Sequence, residues 1–183
     1  MVFIPSNMIV ILHNIRSLYN VGSIFRTSDA AGVEKIYLCG ITPKPIDEFG
    51  RLRNDFAKVA LGAEKTVEWE YQKSANRLIG KLKDGGYKIF AIEQSNKSEP
   101  YYRLKLKGKS KNERIALIVG SEVGGLPKSI LNKCDKILEI PMKGKLVKQA
   151  GHPKRSGKGK ESLNVSVAFG IAAFELVTKT LKY

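Results

Sequence analysis

Short apolar runs that alternate with segments of helical spacing constrain the fold of this chain most strongly. Ile115–Val119 is a continuous apolar run, which is typical of a strand buried on both faces of a parallel sheet. Further strands are predicted at Met8–Leu12, Lys35–Cys39, Thr66–Trp69, Tyr87–Ile92 and Ile137–Ile140. Because helical segments separate these strands, the sequence predicts an α/β fold with a mostly parallel sheet flanked by helices.

The helical segments lie between and after these strands, and several end at glycine. They are Val21–Gly32, Asp55–Leu61, Tyr71–Lys83, Pro127–Cys134 and Ser162–Lys182. The sequence has no internal repeat and no linker between two cores. With 183 residues, it is therefore expected to form one domain over residues 1–183.

The chain carries a large excess of positive charge. With 32 Lys and Arg against 17 Asp and Glu, its formal net charge is +15. An excess of this size favours a polyanionic partner, and nucleic acid is the usual one. The basic residues do not gather on one amphipathic helix, so no membrane partner is expected.

Cysteine and histidine usage points to a reduced protein without a metal. Cys39 and Cys134 are too far apart for a metal knuckle, and His13 and His152 add no ligand spacing. No apolar run reaches the length of a membrane span, and the first residues lack a signal-peptide pattern. We therefore expect a cytoplasmic protein with free thiols and no metal.

The segment Asn20–Thr27 places a glycine and an arginine four residues apart at the start of a predicted helix. Residues at this spacing share a helix face, so Gly22 is expected to leave bare backbone one turn from Arg26. A planar cation beside bare backbone is suited to hold a phosphate or a ribose. An ordinary amphipathic helix, capped by Asn20 and with Arg26 on its surface, would have the same pattern.

A glycine-rich segment, Gly120–Pro127, directly follows the apolar strand and precedes a predicted helix. Ligands of open α/β sheets bind beyond the carboxyl ends of the strands, where glycines let the backbone approach them. The segment contains neither the dinucleotide fingerprint nor a phosphate-binding loop. A tight turn with glycines at positive φ is the purely structural alternative.

A third segment comes in two pieces, Ile140-Pro141-Met142 at the end of a strand and Ser162–Ala168 at the start of the last helix. Ser162 is expected to be the N-cap, which leaves Asn164 in the first turn. Parallel strands end at one edge of a sheet. All three segments are therefore expected to converge there.

Three stretches of the chain resemble, in order, the three motifs of the SpoU family. They are N-x-G-x-x-x-R-T, then G-S-E-x-G-G-L, and then I-P-M together with S-L-N-V-S-V-A. Members of this family are RNA ribose 2′-O-methyltransferases of the SPOUT superfamily. The likeness runs from about Met8 to Leu181 and includes Ala60–Glu64. It implies a C-terminal deep trefoil knot, S-adenosylmethionine as cofactor, a homodimer, and methylation of a ribose 2′-hydroxyl in structured tRNA or rRNA.

The resemblance also implies roles for individual residues. The cofactor would be held by Gly120, Ile140, Met142, Ser162 and Leu163, and the catalytic residues would be Asn20, Arg26, Glu122 and Asn164. Arg26 would contact RNA and stabilise the developing oxyanion, since a guanidinium with a pKa above about 12 is a poor base. Glu122 could pair with Arg26 or order its loop, and Asn20 could orient Arg26 or the ribose. Asn164 would hydrogen-bond in the site and fix the knot. In a dimer, Asn20 and Arg26 could complete the partner's pocket.

The chain departs from the family pattern at three places. Ser121 stands where many members have Asn, and the extra N-terminal RNA-binding domain of many ribosomal-RNA members is not expected. Residues 143–161 form a basic insertion between the two pieces of the third motif. The insertion could be a solvated loop, or it could bind RNA phosphates through Lys145, Lys148, Lys154 and Arg155.

Two other functions fit parts of the sequence. A SpoU-like protein could bind RNA without methylating it, although the presence of all four catalytic candidates argues against this. A Rossmann-type oxidoreductase is disfavoured because the dinucleotide fingerprint is missing.

Overall fold

A computed structural model describes residues 7–106, 113–142 and 162–180. Within this part of the chain, seven parallel strands form one sheet in the order β3-β2-β1-β6-β4-β7-β5. They are β1 (Met8–His13), β2 (Lys35–Cys39), β3 (Glu68–Gln72), β4 (Lys88–Ile92), β5 (Glu99–Pro100), β6 (Ile115–Gly120) and β7 (Lys136–Glu139). The predicted α/β fold with a parallel sheet is confirmed.

Helices cover both faces of the sheet. They are α1 (Leu18–Ala30), α2 (Asn54–Ala60), α3 (Ala63–Thr66), α4 (Ala75–Asp84), α5 (Lys128–Leu131) and α6 (Val165–Thr180), with a 3-10 turn at Tyr101–Arg103. None of the helices described is long and apolar enough to cross a membrane.

Alternating strand residues divide the core into two layers. Val10 and Leu12 of β1 pack with Phe25 of α1 and Phe169 of α6, and α2 and α3 join the same layer. Their neighbours Ile9 and Ile11 face the other layer, which contains Leu78, Ile79 and Ile130 of α4 and α5. Every residue of Ile115–Val119 is buried, because β6 is covered on both faces.

Several elements begin or end away from their predicted positions. Helix α1 starts three residues earlier than expected because Ser17 is its N-cap and accepts a hydrogen bond from Asn20 N. Asn20 is therefore not the cap. Helix α4 starts later than expected, after the cap Ser74, because Tyr71 belongs to β3. Strand β5 was not predicted at all.

Gly22 has a different role from the one predicted. It is buried, and a Cβ at this position would lie 3.1 Å from Val59 Cβ on α2. The missing side chain thus allows α1 and α2 to pack closely. The prediction that Gly22 leaves room for a ribose or phosphate was wrong.

The chain order reverses its direction across the sheet at β1. From β1 the chain builds β2 and β3 on one side, and it then crosses to β4 and β6 on the other. At this reversal His13 of β1 pairs in register with Gly120 of β6. Ligands of open α/β sheets bind at such a switch point, and the predicted site segments follow β1 and β6.

Candidate functional site

A cavity of about 730 Å³ lies at the carboxyl ends of β4, β6 and β7. This volume is typical of small-molecule sites. Its lining includes all five residues that were predicted to hold the cofactor, which are Gly120, Ile140, Met142, Ser162 and Leu163. The third motif's two pieces and the glycine loop therefore meet at one place.

The glycine loop closes on itself as a tight turn. Ser121 and Gly125 form an isolated antiparallel bridge, with Gly125 N donating to Ser121 O over 2.8 Å. Gly125 has a φ of +58°, and a Cβ on Gly120 would lie 2.7 Å from the Gly125 carbonyl carbon. Both glycines are needed for the turn itself. The segment is therefore the tight turn of the structural alternative, and it also lines the cavity.

Glu93 is a cavity residue that sequence reasoning missed. It directly follows β4, and its Oε2 accepts a hydrogen bond from Leu126 N over 2.7 Å, while Oε1 accepts from Gln94 N. A Cβ on Gly125 would clash with this carboxylate. Glu93 thus holds the end of the glycine loop in place. A carboxylate just after an apolar strand was the signal that could have identified it.

Three of the four predicted catalytic residues meet in one hydrogen-bonded network. Glu122, which lines the cavity, accepts at Oε1 from Asn20 Nδ2 over 3.0 Å and from Asn164 Nδ2 over 2.9 Å. Asn164 Nδ2 also lies 3.1 Å from Asn20 Oδ1. The network therefore joins α1, the glycine loop and the start of α6.

Asn164 caps α6, a role that was predicted for Ser162. Helix α6 begins at Val165, and Asn164 Oδ1 accepts from Ser166 N over 2.9 Å. Glu122 Oε1 also accepts from Val165 N over 3.3 Å. A carboxylate and an amide oxygen thus occupy the positive end of the helix dipole. The N-cap prediction for Ser162 was wrong because the helix starts two residues later than a cap at Ser162 requires.

Arg26 lies apart from this network. It is exposed on α1, and it is not among the described residues that line the cavity. Asn20 and Arg26 are six positions apart on α1, which places their side chains about 120° apart around the helix axis. Two roles were predicted for Glu122, which are pairing with Arg26 and ordering of its loop. Its described partners are amide groups, so these contacts match the second role.

The remaining predictions concern RNA contacts, metals and thiols. Lys145, Lys148, Lys154 and Arg155 lie outside the described residues. In the described ranges, no group of three His, Cys, Asp or Glu side chains could hold a metal ion. Cys39 and Cys134 are free thiols, and burial raises their pKa to about 12 and about 11, so both stay protonated.

The sequence is similar to a known family and to curated proteins. The model of the SpoU rRNA Methylase family matches residues 7–147. The 23S rRNA (guanosine-2′-O-)-methyltransferase RlmB of Haemophilus influenzae is 30% identical over 175 residues, which are 95% of this chain and 61% of the relative. RlmB of Ralstonia nicotianae is 31% identical over 171 residues, which are 93% of this chain and 58% of that protein. The chain thus spans about three fifths of these curated relatives.

Solved structures share the fold. The A. aeolicus TrmH/SpoU tRNA modifying enzyme superposes with a TM-score of 0.72 at 25% identity, over 97% of this chain and 77% of that one. An AdoMet-bound rRNA methyltransferase from Sinorhizobium meliloti superposes with a TM-score of 0.76 at 23% identity. The superposition covers 100% of this chain and 63% of that one, and it supports the fold alone. Because the family model covers most of its length, the chain belongs to the SpoU rRNA Methylase family.

Proposed function

We propose that this protein transfers a methyl group from S-adenosylmethionine to a ribose 2′-hydroxyl in RNA. The observation that carries the proposal is the network of Asn20, Glu122 and Asn164 beside the cavity, with Glu122 in both. Membership of the family and the names of the relatives support the same activity. The charge of +15 is suited to an RNA substrate, either tRNA or rRNA.

The cavity residues fit this cofactor. Apolar side chains of Leu126, Ile140 and Met142 are suited to an adenine ring, and the backbone of the glycine loop offers hydrogen bonds. Glu93 and Glu139 place carboxylates on the lining, where they favour a cationic ligand. S-adenosylmethionine, when bound, supplies an electrophilic methyl group on a sulfonium.

Arg26 is assigned to the RNA. A ribose 2′-hydroxyl is a weak acid, so its attack on a methyl group builds negative charge on the oxygen. A guanidinium can stabilise that oxyanion and bind an adjacent phosphate at the same time.

The position of Arg26 favours a homodimer in which it serves the partner's cavity. Arg26 is exposed on α1 about 120° around the helix from Asn20, and Asn20 is engaged in the network of its own chain. Helix α6 presents Val167, Ile171 and Phe174 at positions i, i+4 and i+7, and Val167 and Phe174 are 50% and 48% exposed. An apolar stripe of this kind is suited to a subunit interface.

Two finer points belong to the same proposal. A deep trefoil knot in the C-terminal part follows from the family resemblance and would bring the pieces of the third motif around the cofactor. A cytoplasmic location follows from an RNA substrate and free thiols.

Transfer of label from S-adenosylmethionine tests the activity. The purified protein is incubated with the methyl-labelled cofactor and total RNA, and the RNA is then hydrolysed with alkali. A 2′-O-methyl group blocks cleavage at its own phosphodiester, so the label is expected in dinucleotides. Label in mononucleotides would indicate base methylation and contradict the proposal. If the protein binds the cofactor and RNA but transfers no label, the RNA-binding alternative is favoured.

A further inference from the structure

The loop between β2 and α2, residues 40–53, presents an aromatic side chain to solvent beside a positive charge. Phe49 is 72% exposed, and the guanidinium carbon of Arg51 lies 4.8 Å from its ring centroid. Proteins use exposed rings beside cations to stack unpaired nucleobases. We propose that Phe49 stacks on an unpaired base of the RNA that this protein methylates, an inference that rests on the proposed function.

The loop holds Phe49 in a fixed position. Asp47 Oδ1 accepts hydrogen bonds from Phe49 N and Arg51 N, both over 2.9 Å, and Asp47 Oδ2 accepts from Arg51 Nε over 3.0 Å. Ile46 and Leu52 close the base of the turn with an antiparallel bridge. A ring that is already held outwards loses little conformational freedom when a base stacks on it.

Both ends of the loop are attached to the elements that carry the site. At its start, Ile41 N donates to Asn14 Oδ1 and Ile15 N donates to Thr42 Oγ1, each over 3.1 Å. Asn14 and Ile15 belong to the segment that leads from β1 into α1. At its end the loop enters α2, which packs on α1. The loop therefore begins at the carboxyl ends of the strands, where the cavity also lies.

A second cation–aromatic pair lies at the start of the loop. Lys44 Nζ is 4.7 Å from the ring centroid of Tyr71, which is 38% exposed, and Tyr71 OH donates to Gly40 O over 3.0 Å. Two exposed rings with cations over them fit a strand with unpaired bases and phosphates better than they fit a neutral protein surface.

Carboxylates already offset two of the charges on this surface. Asp47 pairs with Arg51 at 3.0 Å and Asp55 pairs with Arg53 at 3.6 Å. Among the described residues, Lys44 has no carboxylate partner. Stacking on Phe49 is therefore expected to contribute more to RNA affinity than the charges of Arg51 and Arg53. Lys44 is expected to supply the phosphate contact.

Binding of a single-stranded RNA tests the proposal. The probe is a 5′-labelled 12-nucleotide RNA of mixed sequence without self-complementarity, followed by fluorescence anisotropy. Phe49→Ala is expected to weaken binding by about fivefold or more, the loss of one base–aromatic stack. Phe49→Tyr should retain affinity. Phe49→Leu should behave like Phe49→Ala, because leucine is apolar but has no ring to stack.

Two controls separate stacking from other effects. Tyr102 is another exposed aromatic residue, with 51% of its surface exposed. It lies next to β5, the edge strand at the opposite end of the sheet from β3. Tyr102→Ala should therefore leave the RNA affinity unchanged. The salt dependence of binding should be unchanged in Phe49→Ala and reduced in Lys44→Gln. Thermal melts of each variant should match the wild type, since these side chains are exposed.

Unchanged RNA affinity in Phe49→Ala, or full affinity in Phe49→Leu, would overturn the proposal. A shift of Phe49→Ala from dimer to monomer in sedimentation, with RNA affinity retained, would instead assign the loop to a second copy of this chain. Methyl transfer by the wild type is measured separately. Its absence would refute the proposed function, whereas its presence with unchanged Phe49→Ala affinity would refute only the stacking.

Discussion

The side-chain amide of Asn164 donates to Glu122 Oε1 over 2.9 Å, and this contact ties the start of α6 to the glycine loop. The same carboxylate oxygen accepts from Asn20 Nδ2, so one atom gathers three segments of the chain. A carboxylate oxygen in this position can hold two amides because it accepts and never donates when ionised.

Glu122→Ala removes the acceptor that Asn20, Asn164 and Val165 N share. Because the glycine loop and α6 then lose their common anchor, the rate of methyl transfer is expected to fall by about 10²-fold, as for a displaced catalytic group. Initial rates with labelled cofactor measure the change. Glu34→Ala, at an exposed carboxylate outside the network, serves as the control and should keep the wild-type rate. Wild-type activity in Glu122→Ala would show that the network has no part in the reaction.

Mixing two inactive variants tests whether Arg26 serves the partner's cavity. Arg26→Ala and Glu122→Ala homodimers should both be nearly inactive. If the site is shared, a mixed dimer has one cavity with an intact Glu122 facing an intact Arg26 of the other subunit. Activity should therefore reappear after the two are denatured and refolded together. If each subunit works alone, both sites of the mixed dimer are defective and no activity returns.

Gly22→Ala should destabilise the protein through the contact of α1 with α2. The new Cβ would lie 3.1 Å from Val59 Cβ, and overpacking of this kind costs typically about 1–3 kcal/mol. Gly80→Ala is the matched control, because Gly80 also lies within a helix and a Cβ there has nothing within 4 Å. It should be neutral or stabilising by up to about 1 kcal/mol. Urea unfolding measures both free energies.

The cause of the Gly22→Ala effect can be checked with a second substitution. Val59→Gly removes both Cβ and Cγ1, which the new methyl group would meet at 3.1 and 3.3 Å, so the double variant should be less destabilised than the sum of the two single variants. Simple additivity would show that the strain does not lie between α1 and α2.

His13 should titrate below its usual range. Burial lowers its pKa, and Asn14 Nδ2, a donor, faces its Nε2 at 3.1 Å, so the neutral ring is favoured. Since its pKa is lower in the folded state than in the unfolded state, stability is lost as the pH falls from about 6.5 towards the folded pKa. Two histidine resonances are expected by NMR, and His152→Gln identifies the one from His13. A pKa at or above 6.5 would contradict the burial of its ring.

Much of the fold could be predicted because the sheet is buried on both faces. Ile115–Val119 and Met8–Leu12 are apolar throughout, a pattern that few other structures require. Strand β5 could not be predicted, because Glu99–Pro100 is too short for any periodicity. Helix starts were also misplaced. Ser17 and Asn20 are both good N-caps by type, and only the structure shows which backbone groups need one.

The site was predicted through the order of its motifs, while its internal contacts were not. Asn20 and Asn164 are 144 positions apart, and no local pattern states that their amides meet. Gly22 was misjudged because a helical spacing shows which residues share a face and leaves open what that face contacts. Glu93 was missed because its only signal, a carboxylate directly after an apolar strand, is weak without a motif around it.

The sharing of one carboxylate among three distant segments has a consequence during protein synthesis. Asn20 and the sheet strands around it leave the ribosome long before Asn164 does. A nascent chain can therefore collapse around β1 and α1 while the anchor of its reaction site is still missing. Only a chain that has been made past residue 164 and has begun to form α6 can close the network, so a nascent chain that ends before Asn164 should not be able to act on the RNA around it.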